Sequence, residues 1–419
     1  MSRRRKPARP PAQTITLTAE SLGARGDAVL PGPVYAQGLL PGETARLEVR
    51  GDRGTVLERL TDAPERAAPF CPVAAACGGC SLQHFEEGAY RAWKRGLAET
   101  ALARAGVEAD LADLIDAHGA GRRRATFHAG RFGRKFVFGY AERAGDRIVD
   151  IEDCPAACPE IRRAAPGLRA LAEAAAPAKG RIDLSVAALE PGLDIDIRGV
   201  RDIPLALREL VAAQAAPEGW SRVTIGGDPV IETAAPVVKF ADVAVTPPPG
   251  GFLQATAAGE AALAALVDQA AAGAKRAVDL YAGSGAFALR LARSMPVLAV
   301  EGEAAPLNAL KRAADRTPGL KPVDARVRDL ALEPLSVKEL DGADLVVLDP
   351  PRSGAKAQCE RLADSPVPAV CSISCNPATF ARDAAILIEG GYKLDGPIVP
   401  VDQFKWTAHL ELAAVFRRG

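Results

Sequence analysis

The sequence has no long apolar run. No stretch of the 419 residues approaches the roughly 20 consecutive apolar residues that a membrane-spanning helix needs. The first residues, Met1 to Pro11, include basic side chains with no apolar segment behind them, so no secretory signal is predicted. We therefore expect a cytoplasmic protein without a membrane partner.

The sequence also lacks net charge, because 52 lysines and arginines balance 52 aspartates and glutamates. This balance argues against a protein that binds polyanions without specificity, although it is compatible with a local basic face. Hydrophobic residues make up 48% of the chain and charged residues 25%, which is ordinary for a globular protein and excludes disorder throughout. The length predicts about two or three domains.

Cysteines are few, with eight in the chain, and three of them have the spacing Cys71-x5-Cys77-x2-Cys80. Without a secretory signal, this clustering favours a metal site over disulfides. Cys154, which precedes a proline, is the predicted fourth ligand, and Cys158 is the alternative. Four thiolates suit zinc or an iron–sulfur cluster. The spacing favours iron–sulfur, and the lack of a Cys-x3-Cys-x2-Cys motif favours a structural cluster over a radical-generating one.

Three segments precede the carboxyl-terminal region. Residues 1–12 read as a basic disordered tail. Residues 13–65 contain short alternating strands punctuated by glycines, which predicts a small β-barrel. Residues 66–240 have mixed character, with a helix predicted from about Glu86 to Ala105 and a strand from Leu193 to Ile197.

Arginine and aromatic side chains are interleaved in one part of this mixed segment. Most charge runs are solvated faces, but aromatic residues among arginines also suit a surface that stacks bases and follows phosphates. We keep both interpretations, with RNA contact as the functional one. The residues are Arg122, Arg123, Arg124, Arg131 and Arg134, with Phe127, His128, Phe132 and Phe136.

A proline- and glycine-rich segment, residues 247–251, marks a boundary, after which strands and helices alternate. This alternation predicts a parallel, doubly wound α/β sheet whose ligands bind at the carboxyl ends of the strands. The predicted strands are Ala277 to Leu280, Val297 to Val300, Leu345 to Leu348 and Ala369 to Ile373.

The first of these strands runs into a glycine turn from Asp279 to Gly285, and a helix is predicted from Ala286 to Ala292 after it. Glycines let the backbone turn tightly and approach a ligand closely. Glu301 ends the next strand, where an acid can accept hydrogen bonds from ribose hydroxyls. Because the third glycine of a dinucleotide fingerprint is missing, S-adenosylmethionine fits better than a dinucleotide, which stays the alternative.

Two further strands end in chemically interesting residues. Asp349 is followed by two prolines that fix the backbone, and Cys375 lies at the carboxyl end of the next strand. Asn376 is the predicted cap of the following helix, whose dipole should lower the pKa of the Cys375 thiol. Cys371 and Cys359 are predicted to be core residues.

A terminal strand is predicted near the end of the chain. Leu410 and Leu412 would lie on one face, with His409 and Glu411 on the other. Taken in isolation, Glu411 is expected to be a solvent-facing carboxylate.

Taken together, these residues resemble one family, the bacterial RNA (uracil-5)-methyltransferases, and especially their iron–sulfur 23S rRNA branch. The resemblance covers nearly the whole chain after the basic tail, and its last motif is highly specific. Beside the cysteine spacing, the motifs are Leu82 to His84, Phe252 to Gln254, Asp279 to Gly285, Asp349 to Arg352 and Ser374 to Asp383.

The resemblance implies a role for each part of the chain. The amino-terminal barrel would be an OB-like TRAM domain that binds RNA, and residues 241–419 a Rossmann-like class I S-adenosylmethionine-dependent methyltransferase domain. Cys375 would be the nucleophile and Glu411 the general base. The implied cofactor residues are Gln254, Tyr281, Glu301, Asp329 and Asp349, and a [4Fe–4S] cluster would be held by Cys71, Cys77, Cys80 and Cys154.

The implied reaction is methylation of carbon 5 of a uridine in structured RNA, with 23S rRNA as the first choice and the thymine-loop uridine of tRNA as the second. We expect a monomer. Two other classes stay open: an iron–sulfur oxidoreductase that uses a dinucleotide, and a non-catalytic RNA-binding protein. The first predicts redox turnover, and the second predicts RNA binding without methyl transfer.

Overall fold

The computed structural model describes residues 11–143, 145–201 and 203–419, so the predicted basic tail lies almost entirely outside the described residues. The chain divides into two compact units. The first contains the described residues up to Lys94 with the segments 142–145 and 406–408, and the second contains the rest. The four-part division made from the sequence stays a prediction. No helix in the described ranges is long and apolar enough to cross a membrane.

The amino-terminal part of the first unit is a six-stranded sheet in the order β1-β5-β6-β4-β3-β2. The inward side chains of Ala28, Leu30 and Leu47 are at most 1% exposed and form its core. The β-rich character predicted here is confirmed. The strands are β1 Gln13–Thr18, β2 Ser21–Leu22, β3 Ala28–Leu30, β4 Val34–Ala36, β5 Thr44–Arg50 and β6 Arg53–Arg59.

The middle of the chain begins with helix α1, Glu87–Arg104, which matches the predicted helix. A seven-stranded sheet follows in the order β10-β9-β8-β11-β12-β13-β14, and its strand β12 is the one predicted from Leu193. The elements are β7 Ile115–Asp116, β8 Arg124–Phe132, β9 Lys135–Ala141, β10 Ile148–Asp150, α2 Pro159–Arg163, α3 Ala165–Ala175, β11 Arg181–Ala188, β12 Leu193–Arg198, α4 Leu205–Gln214, β13 Trp220–Ile225 and β14 Asp228–Glu232.

The remaining elements include a separate two-stranded sheet of β15 and β16 and most strands of a larger sheet, whose order is β19-β18-β17-β20-β21-β24-β23-β7 with β22 paired to β24 beside it. They are β15 Val238–Phe240, β16 Val243–Val245, α5 Ala257–Ala270, β17 Ala277–Leu280, α6 Ala288–Leu291, β18 Val297–Glu301, α7 Ala304–Arg316, β19 Val323–Val327, β20 Leu345–Leu348, α8 Lys356–Ala363, β21 Ala369–Ser374, α9 Pro377–Glu389, β22 Tyr392–Leu394, β23 Val399–Asp402 and β24 Glu411–Arg418.

The five strands from β19 to β21 in this sheet are parallel, whereas β24 runs antiparallel to β21. Successive residues of β20 contribute to different cores: Leu345 and Val347 pack on one face of the sheet, and Val346 and Leu348 on the other. Both faces are therefore covered, as the apolar strand sequences require. The predicted parallel, doubly wound sheet is confirmed.

Two helix starts show how local sequence sets the boundaries. Asn376 caps α9 by accepting a hydrogen bond from the amide of Ala378, as predicted. Helix α6 is shorter than the predicted 286–292 segment and begins only at Ala288. Gly285 has a φ of 97°, which is outside the helical region, so the helix cannot begin until the turn is complete.

Candidate active site

Four of the predicted site residues lie at one edge of the large sheet. Tyr281 directly follows β17, Glu301 ends β18, Asp349 directly follows β20, and Cys375 directly follows β21. Because these strands are parallel, their carboxyl ends meet at the same edge. The topology thus brings together residues that are far apart in the sequence.

Glu411 reaches the same edge from the opposite direction. Strand β24 is antiparallel to β21, and Ser374 is paired with Leu412. Cys375 follows Ser374 and Glu411 precedes Leu412, so the same register brings Cys375 alongside Glu411. Glu411 is only 6% exposed, and the expectation of a solvent-facing carboxylate is wrong. The reason is that β24 lies between β21 and β23 inside the sheet and is not an edge strand.

The glycine turn after β17 is held by Glu301. One carboxylate oxygen of Glu301 accepts a hydrogen bond from the amide of Gly283 at 2.9 Å, and the other accepts from the amide of Glu303 at 2.9 Å. Tyr281 has a φ of 64°, a left-handed conformation that costs a non-glycine residue of the order of 1–3 kcal/mol. Such strain is concentrated at functional sites, which agrees with a ligand-binding turn.

A chain of side-chain hydrogen bonds joins two of the carboxylates at this edge, those of Asp349 and Glu411. The Nε2 of Gln254 donates to Asp349 Oδ2 at 3.1 Å, and the Nε2 of Gln403 donates to Gln254 Oε1 at 2.8 Å. The same Gln403 nitrogen lies 3.2 Å from Glu411 Oε1, to which it also donates. Asp349 is therefore linked to Glu411 through two glutamine amides.

Sequence reasoning did not identify Gln403. It follows strand β23, whose Val401 pairs with Glu411 in β24, and the side chain is 1% exposed. The available signal was a polar residue directly after an apolar strand. That signal is weak without the pairing, because the partner Gln254 is distant in the sequence.

Burial raises the pKa of Asp349 to about 7. The residue as a whole is half-buried, so a ligand can approach it while the charged form of its carboxyl group is poorly solvated. A nearby cation would stabilise the ionised form. This environment suits a contact with a positively charged cofactor.

The pKa of the Cys375 thiol differs from the lowered value that the sequence predicts. Its pKa is raised to about 11, first by burial and then by the negative charges of Glu411 and Asp349, whereas the positive charge of Arg352 acts in the opposite direction. The predicted lowering by the helix dipole is wrong for the ligand-free protein. With this raised pKa, the Cys375 thiol is predominantly protonated near pH 7.

The other predicted residues of this unit differ in their environment. Cys371 and Cys359 are fully buried, which confirms their assignment to the core. Asp329 is exposed beyond the end of β19, and its Oδ1 accepts a hydrogen bond from the amide of Ala331 at 2.9 Å. It lies at the correct edge of the sheet but takes no part in the hydrogen-bond chain.

The arginine cluster divides into two groups. The Nε of Arg123 donates to the carbonyl of Gln254 at 3.0 Å, and Arg124 donates to the carbonyl of Leu253 and lies 4.7 Å above the exposed Phe252 ring. These two arginines thus shape the segment that carries Gln254. Arg134, by contrast, is exposed in the turn between β8 and β9.

The cysteine loop, residues 71–80, belongs to the first unit. None of its three cysteines forms a disulfide within the described residues; Cys77 and Cys80 are buried, and Cys71 is half-buried. The amide of Gly79 lies 3.4 Å from Cys77 Sγ, and Arg143 donates to the carbonyls of Ala74 and Cys80. Within the described ranges, no group of three or more His, Cys, Asp or Glu side chains is arranged to hold a metal ion.

Several RNA methyltransferases are similar to the chain over its whole length. An uncharacterised RNA methyltransferase of Rhizobium meliloti (strain 1021) is 41% identical over 414 residues, which cover 97% of this chain and 100% of that protein. A 23S rRNA (uracil(1939)-C(5))-methyltransferase of Chromohalobacter salexigens is 34% identical over 436 residues, which cover 96% of this chain and 89% of that protein. No protein-family model matches the chain.

Among solved structures, the chain is similar to a tRNA (uracil-54, C5)-methyltransferase of Pyrococcus abyssi in complex with S-adenosyl-L-homocysteine. The TM-score is 0.72 with 21% identity, and the match covers 96% of this chain and 100% of that one. This likeness establishes the fold, which is mixed α/β with a Rossmann-like domain and an amino-terminal β-rich domain. The predicted fold class is confirmed.

Proposed function

The chain belongs to the RNA methyltransferase family, and from that premise we propose that it transfers a methyl group from S-adenosylmethionine to carbon 5 of a uridine in structured RNA. In this proposal Cys375 is the nucleophile and Glu411 the general base. Gln254, Tyr281, Glu301, Asp329 and Asp349 contact the cofactor. The segments 13–65 and 66–240 hold the RNA, with 13–65 as a TRAM-like barrel.

The observation that carries the proposal is the register between β21 and β24. A thiol and a carboxylate lie side by side where two strands of opposite direction meet, next to the strand ends that carry Asp349 and the glycine turn. Carbon 5 of uracil is a poor nucleophile, so a methyltransferase must first add electrons to the ring. A neighbouring nucleophile and base are the two groups that this chemistry requires.

The proposed steps use Cys375 twice. After its proton has passed to solvent, the Cys375 thiolate forms a bond to carbon 6, and the electrons of the 5,6 double bond move onto the carbonyl as an enolate. S-adenosylmethionine supplies an electrophilic methyl group on a sulfonium. Carbon 5 bonds to this methyl group, and the sulfur keeps the electron pair of the broken bond.

Glu411 completes the reaction. Its carboxylate takes the proton from carbon 5, the electrons of that carbon–hydrogen bond re-form the double bond, and the bond between Cys375 and carbon 6 breaks to return the thiolate. The raised pKa of the Cys375 thiol means that the free enzyme keeps this group protonated and poorly reactive.

We take 23S rRNA as the substrate, since the relative from Chromohalobacter salexigens is named for that RNA at 34% identity. The second candidate is tRNA, the substrate in the name of the Pyrococcus abyssi enzyme with the similar fold. A uridine in folded RNA must be turned out of its stack to reach a recessed thiol, which explains why RNA-binding segments accompany the methyltransferase domain.

We also propose that Cys71, Cys77, Cys80 and Cys154 hold a [4Fe–4S] cluster with a structural role. The spacing of the cysteines in the sequence supports the assignment, and the three cysteines of the loop are not consumed by disulfides in the described residues. As the loop stands, its thiols do not form a metal-holding group, so binding would require them to converge. No step of the methyl transfer is assigned to the cluster.

The test is to map 5-methyluridine in 23S rRNA and tRNA from cells with and without the protein, and then to restore the modification with purified enzyme and S-adenosylmethionine. We expect one uridine of 23S rRNA to lose its methyl group in the deletion strain and to regain it in vitro. Unchanged 5-methyluridine in both RNAs would contradict the proposal. Loss in tRNA alone would keep the reaction and replace the substrate.

A further inference from the structure

Gln403 is buried between the cofactor side and the base side of the proposed active site. Its side chain is 1% exposed and makes three hydrogen bonds, to the backbone amide of Ala255 at 2.9 Å, to Gln254 at 2.8 Å and to Glu411 at 3.2 Å. A buried amide with this many partners has a defined orientation.

The backbone amide of Ala255 fixes the donor-to-acceptor direction of every hydrogen bond between Gln403 and Asp349. The Ala255 amide can only donate, so the Gln403 atom that faces it is the oxygen, and the NH2 group must face Gln254 and Glu411. The Gln254 atom that meets this NH2 group is then also an oxygen. The Gln254 nitrogen in turn points to Asp349.

The packing around Gln403 is tight enough to hold this arrangement. Gly259, in the first turn of helix α5, faces the Gln403 side chain, and a Cβ at that position would lie 2.7 Å from Oε1 and 2.9 Å from Cβ of Gln403. Such a contact is too short for any other residue. The glycine therefore allows the helix to support the amide directly.

We propose that Gln403 is a positioning residue that holds the Glu411 carboxylate for proton removal and ties its position to Gln254 and Asp349 on the cofactor side. The NH2 group of Gln403 donates one hydrogen bond to Gln254 and one to Glu411, so a movement of Gln254 on cofactor binding is transmitted to Glu411. This inference rests on the proposed function, because it assigns to Gln403 the placement of the proposed base.

The first test replaces Gln403 by methionine, which has a similar length but neither donates nor accepts these hydrogen bonds. With Gln403→Met we expect kcat to fall about 10- to 100-fold, because a misplaced base removes the carbon-5 proton slowly. The methylated covalent adduct between enzyme and unmodified RNA should then accumulate and be visible on a denaturing gel. Trapping by RNA that contains 5-fluorouridine should persist, since trapping needs no proton removal.

A matched control separates this role from a loss of stability. Gln358 is also fully buried, and its amide bonds to both backbone groups of Leu335 in the same unit, outside the hydrogen-bond chain that joins Asp349 to Glu411. Gln358→Met should lower thermal stability as much as Gln403→Met does and leave the adduct level unchanged. If Gln403→Met does not fold, the charge variant below carries the test.

The second variant, Gln403→Glu, keeps an oxygen for the Ala255 amide and sets a carboxylate against Glu411. Like charges disfavour ionisation, so the pKa of the base should rise and the acid limb of the profile of kcat against pH should move to higher pH. A residue with only a structural role would not move this limb.

The outcomes distinguish a failure of the proposed function from a failure of the role assigned to Gln403. If the wild-type protein forms no 5-methyluridine in any RNA, the proposed function itself fails. If the wild-type protein methylates RNA while both Gln403 variants keep its kcat, its pH profile and its low adduct level, only the role of Gln403 is overturned. Adduct accumulation together with a shifted acid limb supports the inference.

Discussion

The active-site edge and the cysteine loop are assembled in opposite ways. The active-site edge comprises Gln254, Asp349, Cys375, Gln403 and Glu411, which come from distant parts of the sequence and are joined by direct hydrogen bonds or by strand pairing. The cysteine loop has its thiols close together in the sequence. Its observed contacts are made largely by backbone groups.

The difference indicates what determines the geometry of each site. At the active-site edge, sheet topology and buried amides hold the proposed reacting groups in place before any ligand arrives, which is the preorganisation that catalysis requires. In the cysteine loop, the thiols would receive their final geometry from the bound metal cluster itself. Variants at the first region should therefore change rates, and variants at the second should change stability.

The largest expected effect is at Cys375, the proposed nucleophile. Cys375→Ala should lower methyl transfer at least about 10³-fold, because the addition to carbon 6 has no replacement. Circular dichroism and the melting temperature should stay close to those of the wild type, since the half-buried side chain is small. A variant that retains methyl transfer would show that covalent addition by Cys375 is wrong.

The second largest effect is expected at the cysteine loop, where a substitution should lower stability. Protein purified without oxygen should contain iron and sulfide, and Cys77→Ser should lose both and melt roughly 5 °C or more below the wild type. Cys359→Ser, a buried cysteine outside the loop, serves as the control for loss of a core thiol. An iron-free wild-type protein that is fully folded and active would refute the cluster.

A third prediction concerns pH and the cofactor. Because burial raises the pKa of Asp349 to about 7, the group must lose a proton below that pH before it can attract a cation. The affinity for S-adenosylmethionine should therefore increase up to about tenfold per unit as pH rises towards 7, and then level off. Calorimetry at several pH values measures this, and Asp349→Asn should remove this contribution. The same pH dependence in both proteins would exclude Asp349 as its source.

The smallest effect belongs to Arg134, which lies in neither region. Arg134→Glu should weaken RNA binding modestly and reduce its salt slope by about 1, with no change in cofactor affinity. Arg123→Gln is the informative partner, because Arg123 contacts the carbonyl of Gln254 and should also weaken cofactor binding. Equal effects of the two substitutions on both ligands would remove the distinction between the two groups of arginines.

Much of the fold could be predicted because it follows from local patterns. Strand β17, Ala277–Leu280, and strand β20, Leu345–Leu348, agree with the prediction at both ends, since short apolar strands between turn residues leave little freedom. The Asn376 cap was equally visible in the sequence. The short helix α6 was not, because the φ of Gly285 is a three-dimensional property.

The candidate site was predicted only in part, for physical reasons that differ between residues. The position of Cys375 followed from its strand, but its pKa depends on burial and on two carboxylates that the sequence does not place beside it. Glu411 was expected in solvent because the insertion of β24 between two other strands is a long-range event. Gln403 could not be identified for the same reason, as its partners arrive from other elements.

The most direct test of covalent methyl transfer is trapping with RNA that contains 5-fluorouridine at the mapped position, in the presence of S-adenosylmethionine. Fluorine at carbon 5 cannot be removed as a proton, so the reaction should stop after methyl transfer with RNA still attached to the enzyme. Mass spectrometry of the digested complex should then find the methylated fluoro-nucleotide on the peptide that contains Cys375. Attachment at another residue, or no attachment by enzyme that methylates unmodified RNA, would contradict covalent methyl transfer through Cys375.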